Sequence, residues 1–234
     1  MRELAMKPVA DRAVLVSFAD ELDDAAHQRI IALDRLLAED PPEGMLEAVP
    51  ALVNILLIFD PEVTDHDTLS AAVEQRLAGL ESAVIDGREH VVQVCYDEAF
   101  APDLAAVAEA TGLSVEAVIE AHLAADFQVL MYGFVPGYAY LGGVPKAIQV
   151  PRKPAPVRGV AAGSVIIAGP QCLVTTLIMP TGWSIIGRSP TKILTGDDTR
   201  PFLFDVADRV RFERIGLAEY ERVSEAGATK VEGT

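Results

Sequence analysis

Six basic side chains, Lys146, Arg152, Lys153, Arg158, Arg188 and Lys192, fall in a run of seventy residues, Phe127 to Gly196, that holds no Asp or Glu. With 35 acidic residues among 234, an even spread would place roughly ten there. Guanidinium groups left without carboxylate partners are free to hold a carboxylate or phosphate through two parallel hydrogen bonds. The run therefore reads as a surface kept clear for an anion. A β-rich core segment whose polar positions are Ser, Thr and Gln would have the same composition, and composition alone leaves both readings open. His122 stands just before the run, close to its glycine-rich opening, where an imidazole could act as acid, base or anion donor. A helix-end histidine with a structural hydrogen bond is the alternative.

Other chemistries find no support in the residues. The phosphate loop G-x-x-x-x-G-K-[ST], the dinucleotide turn G-x-G-x-x-G and the nucleophile elbow G-x-S-x-G are all missing. Ser164 follows Gly163 at the start of an apolar run and is not read as a nucleophile. The four histidines, at 27, 66, 90 and 122, form no i, i+4 metal pair. His27 and His66 are placed on polar, exposed helix faces. Cys95 and Cys172 are far apart and outside any C-x-x-C, so both are expected reduced. Residues 106 to 122 have the outline of a helix-turn-helix, but the would-be recognition helix carries Glu116 and Glu120 and no basic residue, which would repel phosphate. A net charge of −16 argues against nucleic acid or an anionic membrane as partner, so any anion site must be local. No apolar run reaches the roughly 18 to 20 residues of a membrane span, and a cytoplasmic location is expected.

These residues need elements to position them. Ala13 to Phe18 reads as a strand, Asp23 to about Glu39 as a helix ended by Pro41-Pro42, Val49 to Phe59 as one buried strand, Asp65 to Leu80 as a second helix and His90 to Tyr96 as a third strand. That β-α-β-α-β order implies a small α+β domain. Two short helices follow, 103 to 110 and 114 to 125, the first ended by Gly112 and the second capped by Ser114. Ten of the 17 glycines and eight of the 15 prolines then punctuate short apolar runs inside the acid-free stretch, the pattern of a β-barrel or sandwich extended by 202–206 and 209–212. The end of the chain after Ser224 is small and polar and is expected to fray.

The residues Gly133-Phe134-Val135-Pro136-Gly137-Tyr138-Ala139-Tyr140-Leu141-Gly142-Gly143, followed by Pro151-Arg152, Ala162-Gly163-Ser164-Val165, Ile167-Ala168-Gly169, Gln171, Gly182-Trp183 and Ile186-Gly187-Arg188-Ser189-Pro190, carry a resemblance. In order and spacing they resemble the family that takes in allophanate hydrolase subunit 1, the KipI-like proteins and the B-type subunits of 5-oxoprolinase, a carboxyltransferase C–D domain. The resemblance implies an α+β N-terminal domain over residues 1–88, a cyclophilin-like β-barrel domain with a helical hairpin insertion over 89–224, and a flexible tail over 225–234. It implies ATP-dependent opening of 5-oxoproline to glutamate, with ATP as its magnesium complex and no tightly bound metal. The partner would be a second chain resembling allophanate hydrolase subunit 2 or the C-type subunits of 5-oxoprolinase. A separate lactam hydrolase subunit is a further candidate, and neither nucleic acid nor membrane is implied.

Related proteins transfer carboxyl groups in biotin-dependent urea carboxylase or inhibit a histidine kinase, and those alternatives stay open; no Met-Lys-Met biotin acceptor is present. On the matching motif positions the implied catalytic set is His122, Arg152, Gln171 and Arg188, and the implied substrate or nucleotide set is Tyr140, Arg158, Gly137 and Ser189. The lactam is a poor electrophile, so phosphorylating its carbonyl oxygen would place developing charge on phosphoryl oxygens that Arg, amide and imidazole donors stabilise. This chain departs from its relatives at Val157, Cys172 and Thr181, where a second Pro-Arg, a Gln-Thr-Gly and a Gly-Gly-Trp are common.

Overall fold

The computed structural model describes residues 4–21, 23–79 and 87–229. The chain divides into two compact units, Met1–Asp86 and Gly87–Thr234. Among the described residues no helix is long and apolar enough to cross a membrane.

In the first unit, strands β1 (Ala5–Val9), β2 (Ala13–Ser17), β3 (Met45–Ala51) and β4 (Asn54–Phe59) form an antiparallel sheet in the order β1-β2-β4-β3. Helices α1 (Asp24–Glu39) and α2 (His66–Ala78) complete the unit. Alternation sets the buried face: Ile55, Leu57 and Phe59 of β4 are buried, and Ile30, Leu33 and Leu37 of α1 join them at the helical repeat. Asp23 and Asp65 start the helices by accepting from the backbone amides of Ala26 and Thr68, at 2.7 and 2.8 Å.

The single strand expected over 49–59 is instead a hairpin. It turns at Leu52-Val53, Leu52 taking φ 51°, with neither Gly nor Asn at these two positions. His27, expected exposed, is 2% exposed, with Nδ1 2.7 Å from the Leu52 carbonyl oxygen. His66 is half-buried, its ring edge-on to Phe59 at 4.9 Å.

The second unit is built on a seven-stranded sheet in the order β12-β9-β10-β7-β6-β13-β5. Its strands are β5 (Glu89–Val94), β6 (Phe127–Tyr132), β7 (Ala139–Gly142), β9 (Ser164–Ala168), β10 (Gln171–Val174), β12 (Ser184–Arg188) and β13 (Arg209–Arg214). Past β5, Cys95 exchanges two backbone hydrogen bonds with Arg188 of β12, at 2.8 and 2.9 Å, so the outer strands meet and the sheet nearly closes into a barrel. The strand expected to complete the N-terminal domain is therefore β5 of the barrel, parallel to β13. An apolar alternation identifies a strand but not the partner it pairs with.

Alternation also sorts the barrel's side chains. Val165 and Ile167 of β9, Cys172 and Val174 of β10 and Ile186 of β12 point into the main core, while Ile166, Ala168, Leu173 and Ile185 form a second cluster with Tyr138 and Trp183 on the other face. A two-stranded ribbon, β8 (Val157–Val160) with β11 (Met179–Thr181), contributes Val160 and Met179 to that second cluster. Helices α3 (Leu104–Thr111) and α4 (Val115–Leu123) bury Leu104, Val107, Val118 and Ile119 in the main core. Gly112 ends α3 in the left-handed region, φ 70°, and Ser114 caps α4. Helix α5 (Leu217–Thr229) occupies part of the segment expected to fray; residues 230–234 lie outside the described ones. Of the run expected as a strand over 202–206, only Phe202 pairs, with Leu194.

Candidate functional site

Site residues from the sequence are distributed over three hollows and the core of the barrel unit. In the first hollow, of about 170 Å³, Tyr140 of β7 and Arg152 meet Tyr138, Phe134 and Trp183 above a floor of Ile166 and Leu173. Tyr138, just before β7, and Tyr140 within it belong to the same cluster, and the Tyr140 and Trp183 rings stand edge to face at 5.9 Å. The Arg152 guanidinium lies 5.5 Å above the Trp183 ring, stacked on the aromatic face with its charge left over. Burial, reinforced by Tyr140, pushes the Tyr138 phenol up to about 12, so it remains a hydrogen-bond donor throughout the neutral range.

The second hollow, about 180 Å³, brings together Arg158 of β8 and Arg188 at the end of β12, beside Ser164, Ala99 and Pro102. The Arg188 guanidinium carbon sits 4.8 Å over Phe100, and its buried Nε–H has no acceptor. A buried donor without a partner costs about 1–3 kcal/mol, which an arriving acceptor would recover. Because the backbone of Arg188 closes the barrel against Cys95, the guanidinium is presented from a fixed point.

The third hollow, about 350 Å³ and the largest of these three, is lined by hydroxyls, Thr175, Thr176, Ser189, Thr191, Tyr220 and Ser224, together with Lys192. Ser189 is 3% exposed and its Oγ accepts from the Thr191 amide at 3.1 Å. Gly137, at φ 75°, lies behind this hollow, where an added Cβ would stand 2.7 Å from Leu194 Cδ2 and 3.0 Å from Thr176 Cγ2. The turn 161–164 and the step from Arg188 to Ser189 supply lining to both the second and third hollows.

Two site residues are not brought to these hollows. His122, in the last turn of α4, is 0% exposed and packed against Phe127 and Phe212, with ring centroids at 5.1 and 4.5 Å. The Tyr96 hydroxyl lies 2.8 Å from its Nδ1 and the Cys172 thiol 3.6 Å from its Nε2. Burial drives its pKa down to about 3, so the ring is neutral, and this geometry fits the helix-end structural histidine rather than an acid or base at a site. Gln171 begins β10 opposite Gly142 and Ala168; it shares the outer face with Leu173 but does not line the groove that Leu173 floors.

The six basic residues also divide. Lys153 is neutralised by Asp103 at 2.5 Å, and the same Asp103 oxygen accepts from the Ile185 amide. That carboxylate lies outside the acid-free run in sequence but folds back onto it. Among the described residues no carboxylate pairs with Arg152, Arg158 or Arg188. Sequence reasoning did not place Phe134, Tyr138 or Trp183 at a site. The signal available was the spacing of Tyr138 and Tyr140 together with the chain's single tryptophan.

A barrel nearly closed by Arg188, an α-helical pair in its core and a separate α+β sheet define a mixed α/β protein of the carboxyltransferase type. The chain belongs to the family described as carboxyltransferase domain, subdomain C and D, which matches residues 4–204. It is 33% identical over 231 residues to the B-type subunit of 5-oxoprolinase from Bacillus subtilis (strain 168), covering 94% of this chain and 96% of that protein. Among solved structures, TTHA0988 is 34% identical with a TM-score of 0.76, covering 88% of this chain and 40% of that longer one. The Kluyveromyces lactis urea amidolyase shares the fold at TM-score 0.77 and 16% identity, over 95% of this chain and 15% of that one.

Proposed function

We propose that this chain is the B-type subunit of an ATP-dependent 5-oxoprolinase-type amide hydrolase, with a cyclophilin-like barrel, acting in the cytoplasm. Its partners are a second cyclophilin-like subunit of the C type and a separate lactam hydrolase subunit. The observation that carries this reading is 33% identity, over 94% of this chain and 96% of the other, to a protein named as that subunit. The carboxylate-free arginines of the barrel supply the matching chemistry.

In the reaction the γ-phosphoryl of magnesium-bound ATP would pass to the ring carbonyl oxygen with ADP leaving; one water would add to the activated carbon, the C–N bond would break with the nitrogen taking a proton to leave an acyl phosphate, and a second water would release phosphate and the new carboxylate. The protein's part is to neutralise charge growing on phosphoryl oxygens, and fixed donors do this without reorganising. Arg158 and Arg188 fill that role, with the unpartnered Arg188 Nε–H as the preset donor. Ser189 and the hydroxyl-lined hollow beside them accommodate the rest of a nucleotide. Gln171 and Gly137 lie in the frame around these hollows, and His122 maintains the core.

The family's carboxyltransferase description favours one other reading, carboxyl transfer with biotin brought by another chain. Copurifying the chain with its C-type partner and measuring ATP hydrolysis separates the two. Stimulation by 5-oxoproline is expected, and an Arg158→Ala, Arg188→Ala double variant should lose roughly 10²- to 10³-fold in rate. Stimulation by urea alone, or full activity in the double variant, overturns the reading.

A further inference from the structure

The groove holding Arg152 is separate from the hollow holding Arg158 and Arg188, so three arginines assigned to one anion serve two places. Its volume, about 170 Å³, is well below the roughly 300–1,000 Å³ of pockets for drug-sized ligands, so its occupant is small. Its walls are flat: Trp183, Tyr138 and Tyr140 offer ring faces and edges over an apolar floor. The polar side chains that reach it are the phenols of Tyr138 and Tyr140, the Thr181 hydroxyl, which accepts from the Trp183 amide at 3.1 Å, and the Arg152 guanidinium, which can only donate. The phenols of Tyr138 and Tyr140 have no protein partner among the described residues, and the Arg152 guanidinium has no carboxylate. Such a site takes a small planar molecule that carries one negative charge and accepts hydrogen bonds elsewhere.

We infer that this groove is the specificity subsite for a small cyclic amide bearing a carboxylate, with Arg152 holding the carboxylate, Trp183 and Tyr140 enclosing the ring, and a tyrosine hydroxyl donating to its amide oxygen. Arg152 is thereby a substrate-positioning residue, and the phosphoryl charge is left to the other hollow. The ligand's identity as 5-oxoproline rests on the function proposed above; the preference for a small flat anion rests on the groove.

Trp183 is the only tryptophan of the chain, so its emission reports on the groove directly. Titrating 5-oxoproline into the full chain, alone and with its partner subunit, should give a saturable change. The same ring lacking the carboxylate, 2-pyrrolidone, should bind roughly ten- to a hundredfold more weakly, the usual weight of a charge-assisted hydrogen bond. Arg152→Ala should lose the same factor for 5-oxoproline and nothing for 2-pyrrolidone, Arg152→Lys should fall between, and in the assembled enzyme the loss should appear in KM more than in kcat. Equal binding of the two rings, no saturable response in either preparation, or turnover of 5-oxoproline with an unchanged KM in Arg152→Ala removes the subsite and leaves the proposed function standing. If the assembled enzyme ignores 5-oxoproline while Trp183 responds to acetate or proline in an Arg152-dependent way, the function falls and the anion subsite stands.

Discussion

His122 shows how a residue chosen for its chemistry can be spent on packing. A neutral imidazole enclosed by Phe127, Phe212 and Tyr96 has one donor and one acceptor nitrogen, and Tyr96 and Cys172 each meet one of them. His122→Gln is therefore expected to lower stability by about 1–3 kcal/mol and leave the rate per folded molecule intact, read from melting and turnover on one preparation. A loss of 10²-fold or more in rate without loss of stability would restore the acid–base role.

The direction of its pKa adds a pH test. Above about pH 6.5 both folded and unfolded chains hold the ring neutral. Below that, the unfolded chain takes up a proton that the buried ring, at about 3, refuses. Stability then falls by about 1.4 kcal/mol per pH unit between those limits, and the variant, having no proton to bind there, should lose that part of the acid limb.

At the scale of elements, the hollows depend on turns that approach other backbone closely. Gly163 takes φ 80°, and a Cβ there would stand 2.4 Å from the Ser189 carbonyl oxygen, in the wall shared by two hollows. Gly169 takes φ 52° with nothing within 4 Å. Gly169→Ala should cost only the conformational strain, about 1 kcal/mol, whereas Gly163→Ala should cost about 3 kcal/mol or more and disturb the Arg158–Arg188 hollow. Equal melting temperatures for the two variants would show that the 161–164 turn gives way.

The parallel pair β5 and β13 has its own clasp. Asp208, 2% exposed, accepts from the Arg88 and Asp205 amides at 2.7 and 2.8 Å and from His90 Nε2 at 2.6 Å. Asp208→Ala leaves those donors unpaired and should cost about 3–5 kcal/mol by denaturant unfolding. A cost under 1 kcal/mol would show that the clasp is replaced by water.

For the molecule as a whole, a charge of −16 opposes the approach of every anion, while three arginines that have no carboxylate partner among the described residues offer positive charge locally. Neither arginine hollow has the size of a nucleotide site, and the hydroxyl-lined hollow is open. The purified chain alone is therefore expected to show no 5-oxoproline-stimulated ATP hydrolysis, and activity should appear on adding the partner subunit. Robust turnover by the lone chain would refute a divided site.

Local rules made much of this protein legible from its residues. Asp23 and Pro41-Pro42 bounded α1, Asp65 and Gly79 bounded α2, Gly112 and Ser114 separated α3 from α4, and the density of Gly and Pro foretold the short strands of a barrel or sandwich, because each of these effects acts within a few residues of chain. The missing carboxylates coincide with the segment in which, among the described residues, Arg152, Arg158 and Arg188 have no carboxylate partner. Partnership across the chain was another matter. Whether β5 joined the N-terminal sheet or lay beside β13, whether Asp103 reached Lys153, and whether Arg152 and Arg188 shared one hollow all depend on contacts between residues dozens of positions apart. His122 was decided in the same way, since what surrounds an imidazole sets its proton affinity, and only the folded barrel brings Phe212, Tyr96 and Cys172 around it.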